Sequence, residues 1–124
     1  MKRFLYILIF KNQSFLKIGK ASGKFRRIEQ LQHALSNSCE IDLNRSYVIT
    51  AKRNSDINLL ESTLLRITEN DKFYLPFLDN VKGREEFRNI ECLSKVLKYI
   101  DIQNNYIPNL KLYHGIDICG NYNH

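Results

Sequence analysis

Phe4-Leu5-Tyr6-Ile7-Leu8-Ile9-Phe10, followed by Lys11-Asn12-Gln13-Ser14 and then by Phe15-Leu16-Lys17-Ile18, is the stretch on which the fold turns. Two β-rich runs flank four polar residues, the pattern of a hairpin. The apolar start is short, contains a tyrosine and leads into Lys11-Asn12-Gln13 rather than into small residues. It therefore reads as a first strand and not as the core of a signal peptide. If the paired positions sum to an odd number, Tyr6 and Lys17 stand on the same face of the sheet, opposite or diagonal. An even sum, or a one-residue bulge, separates them.

Beyond the hairpin, Gly19 to Gly23 reads as a loop with Ala21-Ser22-Gly23 as its breaker. Phe25, Ile28, Leu31 and Leu35 recur at helical spacing and predict a helix from Lys24 to Leu35. Residues 41–50 look like a third strand. Asn54-Ser55-Asp56 opens a second helix through Ile57, Leu60, Leu64 and Ile67, because each of those short side chains can accept a bond from an orphan backbone N–H. Residues 69–83 read as loop, and Ile90, Leu93, Leu97 and Ile100 as a last helix. After Asp101 the chain is rich in asparagine, and its pattern fits a packed strand or a disordered tail equally. The expectation is an α+β fold: a three-stranded, mostly antiparallel sheet in the order β-β-α-β-α, flanked by helices. Residues 1–100 form the domain and residues 101–124 a C-terminal extension.

A chain of 124 residues fits one domain, and 44% hydrophobic residues is too many for a disordered one. No run of 18 apolar residues is present, which argues against a membrane span. Cys39, Cys92 and Cys119 are odd in number and irregular in spacing, and His33, His114 and His124 do not join them at zinc-ligand spacing. A reducing intracellular compartment is the simplest reading. The net charge of +6 is unevenly spread: residues 1–33 carry eight basic side chains against Glu29 alone, a local +7. A basic segment on an otherwise neutral domain is the usual footprint of polyanion binding, or merely a soluble basic surface; Lys11, Lys20, Lys24 and Arg26 are the candidate nucleic-acid contacts.

Four residues invite chemistry, and each has a plainer alternative. Tyr6 is a strand aromatic that fits a core equally well. Lys17, between Leu16 and Ile18, alternates outward and fits a solvated strand position. Gly19 beside it lets another segment approach closely. Arg27 lies at the edge of its helix, where a planar guanidinium can meet a phosphate or simply solvent. Glu61 falls on the apolar face of its own helix, four residues after Ile57 and three before Leu64. A carboxylate there is costly unless it holds a metal or is paired, with Arg27 or Lys17 as partner. Gly83-Arg84-Glu85-Glu86-Phe87 reads as a loop-to-helix junction with glutamates near the helix start.

Tyr6, Lys17-Ile18-Gly19, Arg27 and Glu61, in that order, resemble the motifs of the GIY-YIG nuclease superfamily. With Lys20, residues 26–32 and Gly83-Arg84-Glu85-Glu86-Phe87, they resemble its phage T5orf172 / MUG113 branch. The likeness covers residues 4–90. The first motif, Phe4-Leu5-Tyr6, keeps only its tyrosine, and Lys17 stands where most members have tyrosine, which resembles a recurring variant. The resemblance implies a metal-dependent DNA endonuclease of a virus, phage or mobile element. Glu61 would hold Mg²⁺ or Mn²⁺, Arg27 would stabilise the phosphate, and Tyr6 or Lys17 would handle the attacking water. The alternative is a catalytically silent DNA-binding module on the same fold. Recognition of a particular sequence would need a dimer or a specificity partner. The enzyme reading expects Tyr6, Lys17, Arg27 and Glu61 on one concave, basic face, and Glu61 on the far side of the sheet from Tyr6 would sink it outright.

Overall fold

Antiparallel pairing of Arg3–Ile9 (β1) with Phe15–Ser22 (β2) forms the centre of the molecule. The computed structural model describes residues 2–23, 26–35, 38–75 and 86–116. The hairpin turns at Lys11-Asn12, where Asn12 takes a φ of 56°, a left-handed conformation that asparagine tolerates better than most residues. Every pair in the ladder sums to 25, with Tyr6 opposite Gly19 and Leu8 opposite Lys17. Tyr6 and Lys17 are therefore diagonal neighbours on one face.

The sheet has five strands rather than three, in the order β4-β2-β1-β3-β5, and all pairings are antiparallel. β3 is Tyr47–Thr50, β4 is Phe87–Asn89 and β5 is Lys111–His114. The three expected strands are its centre; both edge strands come from segments whose local pattern did not declare a strand. β3 is shorter than the expected 41–50. Ile41 makes a lone bridge to Phe10, and a 3₁₀ turn at Leu43–Arg45 interrupts the run. At that break the Ser46 hydroxyl accepts from the Ile9 N–H at 3.0 Å and donates to the Asp42 carbonyl at 2.9 Å, replacing a ladder bond. Gly19 to Ser22 is strand rather than loop, since β1 supplies partners as far as Arg3, and the chain leaves the sheet only at Gly23 with φ 78°. β5 also draws part of the stretch after Asp101 into the same sheet.

Helices cover both faces. Arg26–Leu35 (α1) buries Ile28, Leu31 and Leu35 with Phe4, Tyr6, Leu8 and Phe10. Asn54–Ile67 (α2) and Leu93–Gln103 (α3) pack Ile57, Leu60, Leu64, Val96 and Ile100 against Leu5, Ile7 and Ile9. Burial on both sides is why β1 is an almost unbroken apolar run. Arg53 occupies the N-cap position of α2, and the Asn54 Oδ1 accepts from the Arg3 backbone N–H at 2.8 Å, tying the helix start to β1. Among the described residues no helix is long and apolar enough to cross a membrane. Cys39 and Cys92 are free and buried, and burial raises the Cys92 thiol to about 11.

Candidate active site at the open edge of the second strand

β4 pairs with β2 only over Phe15–Lys17. Past that point, among the described residues, the outer edge of β2 has no strand partner, and the candidate residues gather around it.

On the α1 side lies Tyr6, 1% exposed. It needs the bare backbone of Gly19, directly opposite, because a Cβ there would stand 2.5 Å from Tyr6 Cζ and 2.8 Å from Cε1. Lys17 is fully buried, so it is neither a solvated strand lysine nor part of any basic surface. Its Nζ donates to the Tyr6 hydroxyl at 3.0 Å and to Glu86 Oε1 at 2.6 Å. Glu86 keeps about a quarter of its side chain exposed (26%), which connects this buried pair to solvent. It precedes a strand, not the helix start expected for it; Gly83-Arg84-Glu85 lies outside the described residues.

Glu61 reaches the edge from the other side. α2 packs on the face opposite Tyr6, so the expected single concave face does not form. The physical reason is strand alternation: Lys20, opposite Leu5, points to the α2 side, whereas Lys17 points to the Tyr6 side. The buried Glu61 carboxylate meets Lys20 Nζ at 3.5 Å, rather than Arg27 or Lys17. Burial raises its pKa most, the charge of Glu86 raises it further, and Lys20 and Lys17 pull it down. The charges of Glu86 and Lys17 also act on Glu61, although their elements occupy opposite faces.

The remaining residues are less concentrated. Arg27 is half-buried on α1, on the Tyr6 side, with Arg26 exposed beside it. Lys11 sits at the hairpin turn, paired with Glu40 at 3.1 Å, and Lys24 lies outside the described residues. The expected continuous basic face is thus reduced by the burial of Lys17 and the pairing of Lys11 and Lys20.

Glu86 is the residue that sequence reasoning missed. A buried lysine demands a counter-charge, but β4 reads Phe87-Arg88-Asn89 and gives no local signal that the residue ahead of it supplies one. The donor set suits a hard divalent cation that takes one protein carboxylate and keeps most of its waters. Among the described residues no cluster of three or more potential ligands exists that would suit a cage of protein groups. In comparison with known proteins, no family model matches this chain, and the curated proteins and solved structures yield no match.

Proposed function

We propose that the chain is a divalent-metal-dependent DNA endonuclease working at the open edge of β2. The observation that carries this reading is a fully buried lysine held between a tyrosine hydroxyl and a glutamate, on the strand that also supplies Lys20 to the buried Glu61 carboxylate. A buried ammonium is costly, and a purely structural core has little use for one.

Lys17 has no solvent exposure and two acceptors, so its role is to donate to Tyr6. The Tyr6 hydroxyl would then orient the attacking water through a hydrogen bond. Arg27, on the same side of the sheet, stabilises charge on the phosphoryl oxygens through its planar fork. Glu61 would hold Mg²⁺ or Mn²⁺, which when bound stabilises the leaving oxygen. Lys20, two-fifths exposed, would orient the Glu61 carboxylate and partly offset the burial that raises its pKa.

The second reading, a silent DNA-binding module, has two observations in its favour: α2 lies on the far face from Tyr6, the placement expected to sink the nuclease, and Glu61 already has Lys20 as a partner. Purified protein incubated with supercoiled and linear DNA, with Mg²⁺, with Mn²⁺ and with chelator, separates the two. The nuclease nicks only with metal and loses nicking in Glu61→Ala; the silent module binds DNA and cuts under none of these conditions.

A further inference from the structure

We propose that Glu86 is a positioning residue that acts through Lys17, fixing the ammonium against the Tyr6 hydroxyl. The inference rests on the nuclease reading above.

A lysine ammonium is a compact charge on a flexible four-carbon stem with three rotatable donors, so nothing in its own chemistry aims it. Here the stem is buried and the aim is set from outside, by Glu86 Oε1 at 2.6 Å, shorter than the 3.0 Å bond to Tyr6. Glu86 is in turn held in place by its neighbours Phe87 and Arg88. Phe87 pairs with Lys17 across the ladder. Arg88, 1% exposed, donates from Nε to Thr68 Oγ1 at 3.0 Å and from Nη2 to the Leu65 carbonyl at 3.3 Å. Those acceptors form the C-terminal end of α2, where a cation meets the unsatisfied carbonyls and the negative end of the helix dipole. The same helix carries Glu61. Residues 86–88 therefore brace the lysine on one side and the end of the Glu61 helix on the other.

A glutamine at position 86 keeps the size of the side chain but loses the charge and presents an amide that donates as readily as it accepts. Glu86→Gln should lower kcat for nicking about 10- to 100-fold, the range seen when an orienting partner is removed from a functional group. KM for DNA should stay within about twofold, because Glu86 is not a phosphate contact. Glu86→Asp should retain an intermediate rate. In a Lys17→Met background Glu86→Gln should add nothing, since residues that act as one unit are non-additive. A full additional loss there, or a loss wholly in KM, overturns the proposal.

Side-chain ¹⁵N NMR supplies a readout independent of cleavage, and it decides the matter if Lys17→Met leaves no measurable rate. Wild type should show a slowly exchanging ammonium signal that disappears in Lys17→Met, vanishes or shifts in Glu86→Gln and persists in Glu86→Asp. An unchanged signal in Glu86→Gln overturns the positioning role whatever the chain does to DNA. Absence of nicking by wild type with either metal overturns the nuclease reading instead.

Discussion

Tyr6 lies across Gly19, its ring occupying the space that any side chain at position 19 would fill. The contact couples a backbone requirement to a functional one, since the hydroxyl end of that ring is the acceptor of the Lys17 ammonium. Gly19→Ala should therefore destabilise the fold by about 1–3 kcal/mol through overpacking of a rigid neighbour. Urea denaturation measures it. Tyr6→Leu in the same chain should recover part of the loss while leaving cleavage abolished. No change in the denaturation midpoint of Gly19→Ala would mean that Tyr6 moves aside freely and is not held for chemistry.

Lys17→Met replaces a buried ammonium by an apolar group of similar length. Such exchanges are often neutral when the partner is not stranded, and Glu86 retains access to water. The expected outcome is stability within about 1 kcal/mol of wild type together with loss of nicking. Unfolding of Lys17→Met would assign the lysine to the architecture alone.

The hairpin was legible because β-propensity and a polar turn are local properties, but whether Tyr6 and Lys17 share a face depended on the register, which the ladder sets at an odd sum. Glu61 was legible too, as a carboxylate among apolar positions of a helix. What was not legible depends on distance along the chain. Glu86 lies 69 positions from Lys17, and β4 is three residues long with a buried arginine at its middle, so no periodicity marks it as strand. Its strand character comes from pairing with β2, and the Arg88 charge is accommodated by the end of α2. The placement of Glu61 across the sheet was hidden for a related reason. Amphipathicity shows that a helix is covered but not which face of the sheet covers it.

DNA affinity should depend on salt less steeply than the composition suggests. Eight phosphate contacts from the basic residues of positions 1–33 would give a slope of about −7 in log K against log salt. Lys17 is buried, Lys20 is paired with Glu61 and Lys11 with Glu40, so fewer charges meet the backbone. Filter binding across a salt series should return a clearly shallower slope, and a slope near −7 would show that these pairs open on binding.

Arg27→Lys keeps the charge and loses the fork. A guanidinium that stabilises transition-state charge should, when replaced, slow nicking by roughly 10-fold or more while DNA affinity stays nearly constant. An equal fall in both would make Arg27 a backbone contact only.

Glu61→Gln distinguishes a metal-holding carboxylate from a structural one, and the pH dependence gives the sign. Burial and the neighbouring Glu86 charge raise the Glu61 pKa, so the folded chain holds this proton over a range where the unfolded chain has released it. Between the ordinary glutamate value and the raised one, stability contributed by Glu61 falls as pH rises, and the deficit persists at neutrality. Glutamine does not titrate. The variant should thus melt at least as high as wild type at neutral pH, with its advantage vanishing below the ordinary glutamate range. Losing Glu61 leaves Lys20 unpaired, but that side chain is 39% exposed and hydrates. Mg²⁺ should raise the wild-type melting temperature above the raised pKa, where the carboxylate is free to bind it, by an amount equivalent to about 2.7 kcal/mol at a hundredfold excess over Kd. The same addition should leave Glu61→Gln unmoved and unable to nick. A marked drop in melting temperature at neutral pH, with no Mg²⁺ effect on wild type, would make Glu61 the structural partner of Lys20.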